Sequence, residues 1–150
     1  AQLAQESGRF SREIVAVTIK QRKKEDITFS HDEHPRSTTI DTLAKLSTPF
    51  RENGSVTAGN ASGLNDGAVA LLLASETAAV NNKLIPKARI VGMACVVLSP
   101  RIMGFGPAPA VRKVLAQTGW SLAQMAVILL IEPFSSHSLA VLSNLSLQHL

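Results

Sequence analysis

Three short runs along the chain are apolar at almost every position. They occupy residues 68–74, 89–97 and 127–131, and the last two are rich in β-branched side chains. Runs of this length and character are typical of strands that are covered on both faces of a sheet. For residues 68–74, periodicity alone leaves a buried helix open as the alternative.

A fourth pattern, near the N-terminus, predicts a β-hairpin. Residues 13–19 alternate and are rich in β-branched side chains, and residues 27–29 form a second short strand candidate. The charged residues 21–26 lie between them and predict the turn. Its three basic side chains, at 22–24, are either simply solvated or attract an anion.

Helix-forming segments alternate with these strand candidates. The predicted helices cover residues 42–47, 76–83, 109–118 and 136–147. The third begins at a proline, which suits the first turn of a helix, and Gly119 is its predicted stop. Strands that alternate with helices predict an α/β sheet.

Glycine, proline and small polar residues mark two loops. Residues 57–68 hold three glycines, two asparagines and a serine, a composition that allows close backbone approach to a ligand and supplies hydrogen bonds to it. Residues 99–110 form the second predicted loop. Its Gly104 and Gly106 are not a dinucleotide fingerprint, because Pro109 occupies the third glycine position.

Charge and hydropathy argue against nucleic-acid and membrane partners. The formal net charge of +4 invites a basic nucleic-acid-binding module, but the first fifty residues hold eight Lys/Arg against seven Asp/Glu. One Trp and no Tyr leave little material for stacking bases. No apolar run approaches the roughly 18 residues of a membrane span, and the first residues do not resemble a signal peptide.

The histidines and the single cysteine predict neither a metal site nor a disulfide. His31 and His34 lie beside two acidic residues, but Pro35 makes the segment extended and a third ligand is missing. The sequence therefore predicts a polar loop there and no metal. Cys95 has no intramolecular partner, which fits a reducing, cytoplasmic compartment.

Several stretches, in the correct order, resemble the thiolase family, whose members make or cleave the carbon–carbon bond of 3-ketoacyl-CoA thioesters. The matching stretches are 8–15, 32–36, 43–46 with Phe50, 56–68, 99–110 and 131–134. Residues 56–68 are the most specific, and residues 99–110 are similar to the family's Met-Gly-x-Gly-Pro-x-Pro-Ala loop. The resemblance runs over nearly the whole chain, from about Gly8 to Leu142.

The resemblance implies a fold and a division of the chain. Thiolases have two similar α/β halves in a layered αβαβα core, with a loop domain inserted in the first half. Residues 1–54 look like the end of that loop domain. Residues 55–84 look like the last strand and helix of the N-terminal half, and residues 85–150 like the start of the C-terminal half. The chain is thus expected to be a central fragment of a thiolase.

The resemblance also implies a substrate-contact site. The positions that match residues contacting coenzyme A or the acyl chain are Phe50, Ala58, Ser62, Leu64, Met103 and Phe134. Ser62 matches a serine that bonds the pantetheine part of coenzyme A, and Met103 and Phe134 match residues of the acyl and pantetheine tunnel. The alternative is that Ser62 caps the local backbone while Met103 and Phe134 belong to the core.

The catalytic motifs of the family are missing from this sequence. Thiolases use a nucleophilic cysteine, a Gly-His-Pro histidine and a second cysteine, and Cys95 matches neither cysteine motif, so it is predicted to be a buried structural thiol. His137 replaces a family glutamine and is predicted on a helix surface. Ile131 stands where the family has an oxyanion-hole asparagine, and Pro133 replaces the alanine two positions later.

The resemblance therefore implies an acyltransferase of the thiolase type, which joins acetyl-CoA and acyl-CoA or runs the reverse reaction. The chain alone is expected to be an inactive fragment that keeps part of the pocket. Its substrate is a coenzyme A thioester and no cofactor is bound covalently. A homo-oligomer or a full-length thiolase is the expected partner. The alternatives are a non-catalytic coenzyme A-binding or assembly protein of thiolase descent and the nucleic-acid module. Acyl chain length and reaction direction stay open.

Overall fold

A computed structural model describes residues 2–147. The chain divides into two compact units, Ala1–Leu46 and Ser47–Leu150. The outermost residues of the predicted 1–54 and 85–150 segments, Ala1 and 148–150, lie outside the described residues. The predicted boundaries at 54 and 84 stay predictions.

The first unit begins with helix α1, Gln2–Glu6, and a 3₁₀ turn, Arg9–Arg12. Strands β1, Val17–Ile19, and β2, Ile27–Phe29, follow, and helix α2, Ile40–Ala44, ends the unit. Helix α2 confirms the helix predicted over 42–47 but begins earlier. It begins there because Thr39 is its N-cap, with the side-chain oxygen accepting from the Thr42 N–H at 3.2 Å.

The predicted hairpin is confirmed. Strands β1 and β2 pair in antiparallel register, with Val17 opposite Phe29 and Ile19 opposite Ile27. An ion pair between Lys20 and Asp26 closes the charged turn. The first strand is shorter than the predicted 13–19, because Glu13 still has helical backbone angles at the end of the preceding 3₁₀ turn.

The second unit is built around three helices. Helix α3 spans Glu76–Asn81, α4 spans Pro107–Thr118 and α5 spans Ser135–Asn144. Shorter 3₁₀ segments cover Pro100–Phe105 and Leu122–Gln124. Helices α4 and α5 pack against each other and against the Pro100–Phe105 segment. The buried residues of the described chain are small: Ala79, Ala108, Ser138 and Val141.

The helix ends follow local chemistry. Ser75 caps α3 by accepting from the Ala78 N–H at 3.1 Å. Helix α4 starts at Pro107 rather than Pro109, and a 3₁₀ segment covers Pro100–Phe105, so the predicted loop 99–110 is wrong over most of its length. Both prolines fit because the backbone N–H groups of the first helical turn have no acceptor within the helix, so losing them costs no helical hydrogen bond. Arg112 donates to the carbonyl oxygen of Asn144 at 2.6 Å and so holds the end of α5 against α4.

Gly119 ends α4 as predicted, with a left-handed φ of 72°. An alanine at this position should lower the free energy of unfolding by about 1 kcal/mol, because the left-handed region is unfavourable for a side chain. Added bulk is not the cause, since a Cβ there meets nothing within 4 Å. The midpoint of urea unfolding measures the effect. A midpoint equal to that of the unsubstituted chain would contradict it.

The three apolar runs do not form strands. Within the described chain, the β-ladder is confined to β1 and β2, with one isolated bridge elsewhere. Residues 68–74, 89–97 and 127–131 have neither helix nor ladder, and most of their side chains are exposed. A strand exists only beside a neighbour that accepts its hydrogen bonds, and no ladder pairs these runs within residues 2–147. No described helix has the length and apolar character needed to span a membrane.

Candidate functional site

The Gly-rich loop is folded by the side chain of Asn60. Its Oδ1 accepts from the Thr57 N–H at 2.8 Å, and its Nδ2 donates to the Ser55 carbonyl at 2.7 Å. The Thr57 hydroxyl in turn accepts from the Gly59 N–H at 3.1 Å. The Asn60 side chain thus hydrogen-bonds to the backbone at Ser55 and at Thr57. These two bonds fix the position of the residues that follow, 61 and 62.

Those residues pair with the chain that enters α5. Ala61 and Phe134 form an antiparallel bridge, the Ser62 N–H donates to the Pro133 carbonyl at 2.9 Å, and the Ser135 N–H donates to the Asn60 carbonyl at 3.0 Å. The bridge joins segments about seventy residues apart in sequence. It brings Ala61 opposite Phe134 and Ser62 next to Pro133 at the start of α5.

A second contact joins α5 to the Pro100–Phe105 segment. The His137 ring lies so close to Gly104 that any side chain at residue 104 would overlap it. The same ring meets Phe134 edge to face, with ring centroids 4.9 Å apart. Gly104 follows Met103, so this contact fixes the backbone next to Met103 against α5. The expectation that His137 lies on a helix surface is wrong.

We call Ala58, Ser62, Met103 and Phe134 the Ser62 cluster. Within the described chain the Ser62 hydroxyl forms no hydrogen bond and is exposed, so it does not cap the local backbone. Met103 is 67% exposed and is not a core residue, whereas Phe134 is half-buried. These residues therefore offer a hydroxyl without a bonded partner among the described residues, an exposed thioether and a half-buried aromatic ring.

The remaining predicted contact residues, Phe50 and Leu64, are both exposed. Phe50 is 81% exposed and the Leu64 side chain is fully exposed. Neither forms a ring contact or side-chain hydrogen bond with another described residue. Their predicted roles stay predictions.

Three further residues bear on the chemistry. Cys95 is exposed, so its prediction as a buried thiol is wrong; the run that carries it lacks the neighbouring strands that would cover it. Lys113 donates to the Cys95 carbonyl, not to its sulfur, at 3.0 Å. The side chain of Ile131 is exposed and apolar, so it supplies neither a hydrogen-bond donor nor an acceptor. Among residues 2–147, no three His, Cys, Asp or Glu side chains are grouped to hold a metal ion.

The sequence did not indicate the roles of Asn60 and Ser138. Asn60 was one of several small polar residues in the loop, and only its two side-chain bonds distinguish it. Ser138 is 4% exposed, and its hydroxyl has no partner in the described chain; the same holds for the buried Nδ1 of His137. These two polar atoms lie on consecutive residues of α5, beside the Ser62 cluster.

Two family models match the chain. The model described as thiolase, N-terminal domain, matches residues 1–77. The model described as thiolase, C-terminal domain, matches residues 84–149. Together they leave only residues 78–83, which include most of α3, and the last residue unmatched.

Similar proteins carry related names. The chain is 51% identical over 145 residues to the β-ketoadipyl-CoA thiolase of Acinetobacter baylyi, covering 96% of this chain and 36% of that protein. It is 46% identical over 146 residues to the acetyl-CoA acetyltransferase of Rhizobium meliloti, covering 97% and 37%. The chain thus spans about a third of the length of these relatives.

Solved structures give the same result. The Bacillus anthracis acetyl-CoA acetyltransferase superposes with a TM-score of 0.85 at 50% identity, over 97% of this chain and 37% of that one. Human mitochondrial 3-ketoacyl-CoA thiolase in complex with CoA superposes with a TM-score of 0.81 at 40% identity, over 97% and 36%. Residues 2–147 therefore have the backbone arrangement of part of a thiolase.

Proposed function

The chain belongs to the thiolase family, and we propose that its Ser62 cluster binds the pantetheine and acyl parts of a coenzyme A thioester. The chain is then the substrate-contacting portion of an acyltransferase that joins acetyl-CoA and acyl-CoA or cleaves the product. The observation that carries the proposal is the Ala61–Phe134 bridge, which fixes the backbone of the loop that carries Ser62 against the segment that carries Phe134.

The hydroxyl of Ser62 suits the polar part of the ligand. Pantetheine contains amides, which present N–H donors and carbonyl acceptors, and a serine hydroxyl can satisfy either. The backbone N–H of Ser62 is already bonded to Pro133, so the residue is held in place while its hydroxyl stays available. Binding then needs little reordering of the loop, which favours affinity.

Met103 and Phe134 suit the apolar part of the ligand, its acyl chain. A thioether with three rotatable bonds adapts to chains of different shape, and an aromatic ring supplies a large apolar surface. The cited solved thiolase with CoA, which matches 97% of this chain, supports this assignment of substrate class. No covalently bound cofactor is part of the proposal. A reducing, cytoplasmic location is proposed on the basis of the single cysteine.

The chain alone is proposed to be catalytically inactive. The family's nucleophile and histidine motifs are missing from its sequence, and Ile131 stands where an oxyanion-hole donor is expected. Losing one such donor alone typically costs about 10²–10³ in rate. A thiolate also needs a neighbouring base to be activated, and the recorded polar neighbour of Cys95 bonds to its backbone carbonyl.

Ser62→Ala tests the binding proposal. Removing one hydrogen bond to the ligand should weaken coenzyme A binding about 3- to 10-fold, equivalent to roughly 0.5–1.5 kcal/mol. Isothermal titration calorimetry measures the dissociation constant. Ser47→Ala is the matched control, because Ser47 is also exposed and lies outside the cluster, and its affinity should be unchanged. Equal affinities for the Ser62 variant and the unsubstituted chain would refute the role of the hydroxyl.

A further inference from the structure

An exposed turn in the second unit places an asparagine directly before a glycine. The two residues are Asn53 and Gly54, and the Gly54 N–H donates to the Arg51 carbonyl at 3.0 Å. Asn53 has a left-handed φ of 51°, a region that asparagine enters more readily than most residues. A Cβ at Gly54 would come 2.8 Å from the Arg51 carbonyl oxygen. The turn therefore favours this particular pair of residues.

The side-chain amide of Asn53 differs from those of the other asparagines. Asn53 is exposed, and its amide forms no hydrogen bond within residues 2–147. Three asparagines have side chains that are held by hydrogen bonds: Asn60, Asn82 and Asn144. The remaining two, Asn65 and Asn81, are each followed by a residue with a side chain. Among the asparagines of residues 2–147, Asn53 thus combines an unbonded amide with a following backbone nitrogen that no side chain hinders.

We propose that Asn53 is a site of spontaneous deamidation. The Gly54 nitrogen attacks Cγ of Asn53, the new C–N bond closes a cyclic imide, and the bond from Cγ to Nδ2 breaks. Nδ2 leaves as ammonia and takes the proton that the Gly54 nitrogen gives up. Water then opens the imide at Cγ, which gives aspartate, or at the backbone carbonyl, which gives isoaspartate. Water is the co-reactant, and no atom is oxidised or reduced.

The hydrogen bond of the turn limits the rate of this reaction. The Gly54 N–H must leave the Arg51 carbonyl before its nitrogen can attack Asn53. Residues 51–54 belong to neither a helix nor a ladder, and such a loop opens at a low free-energy cost. Asn53 should therefore react in buffer, and it should react faster in urea, where the turn is open.

Isoaspartate at residue 53 alters the loop that carries Ser62. It adds a methylene group to the backbone just before Ser55, whose carbonyl accepts from Asn60 Nδ2 at 2.7 Å. A displaced Ser55 carbonyl releases the Asn60 side chain, whose Oδ1 accepts from the Thr57 N–H. The Thr57 amide should then exchange its hydrogen faster. Aspartate adds a charge but no backbone atom, so it should leave both hydrogen bonds intact.

Peptide mass spectrometry after incubation of the chain in warm, mildly alkaline buffer tests the proposal. We expect a mass gain of about 1 Da at residue 53, where an amide becomes a carboxyl group, and a slower gain at every other asparagine. Enzymatic methylation of isoaspartate identifies that product, and ion exchange isolates the modified chain. Freshly purified Asn53→Asp is the matched control, because it carries the added charge and has no amide to lose. Its Thr57 amide should exchange at the rate of the unsubstituted chain.

Two results would overturn the proposal. The first is an Asn53 that keeps its amide in buffer while it reacts in urea or while another asparagine reacts. The second, which overturns the effect on the loop, is unchanged Thr57 exchange in the isoaspartyl chain.

The consequence for the ligand rests on the proposed function. The isoaspartyl chain should bind coenzyme A about 3- to 10-fold more weakly, as expected for one lost hydrogen bond, and Asn53→Asp should bind it as the unsubstituted chain does. Faster Thr57 exchange without coenzyme A binding by either form would refute the proposed function and leave the modification site intact.

Discussion

Acetoacetyl-CoA should remain uncleaved when it is mixed with the purified chain and free coenzyme A. The expected rate is that of the reaction without protein, because the sequence lacks the family's cysteine and histidine motifs. Cys95 is exposed, but its recorded polar contact, from Lys113, ends on the backbone carbonyl. The loss of acetoacetyl-CoA absorbance measures the rate, and a full-length thiolase under the same conditions is the positive control.

Two variants sharpen this result. Ile131→Asn restores the family residue at the oxyanion-hole position, and it should not produce turnover, because a donor alone does not supply the missing nucleophile. Cys95→Ser distinguishes the chain's own chemistry from contamination. Turnover that disappears in Cys95→Ser would contradict the proposal, since it would show that this cysteine acts as a nucleophile.

Gly104→Ala should have the largest effect on the fold of the second unit. The added Cβ would overlap the His137 ring, so the ring would have to leave its contact with Phe134. Overpacking of this kind typically costs about 1–3 kcal/mol. The urea midpoint should fall, and coenzyme A affinity should fall with it, because the segment that carries Met103 and the ring of Phe134 would both have to shift.

Matched variants identify the cause. Gly67→Ala should change the free energy of unfolding by less than about 0.5 kcal/mol, because a Cβ there meets nothing within 4 Å. His137→Ala should remove most of the penalty of Gly104→Ala when the two are combined, as a double-mutant cycle measures. Additive penalties in the double variant would mean that the His137 ring does not cause the destabilisation.

Local chemistry made several parts of the fold predictable. Gly119 stops α4 because a left-handed residue satisfies the last carbonyls, and that preference is visible in sequence. The β1–β2 hairpin was predictable because alternation and a charged turn lie within one short stretch. The thiolase resemblance was predictable because several motifs occur in order, and the two family models confirm it.

Long-range contacts were not predictable in the same way. The Ala61–Phe134 bridge joins residues far apart in sequence, and neither residue has a local feature that indicates the other. The position of His137 against Gly104 depends on how α5 meets the Pro100–Phe105 segment, which helical periodicity does not reveal. The run 127–131 has the composition of a buried strand, but composition does not supply the neighbours that a strand requires.

Thermal unfolding followed by circular dichroism, with and without coenzyme A, tests the central claim most directly. A ligand that binds only the folded chain raises the transition temperature, and the rise grows with the logarithm of ligand concentration divided by Kd. The account predicts a cooperative transition that rises with added coenzyme A and rises less in Ser62→Ala. A transition that coenzyme A does not move, or the absence of any cooperative transition, would contradict the claim that this chain contains a working coenzyme A site.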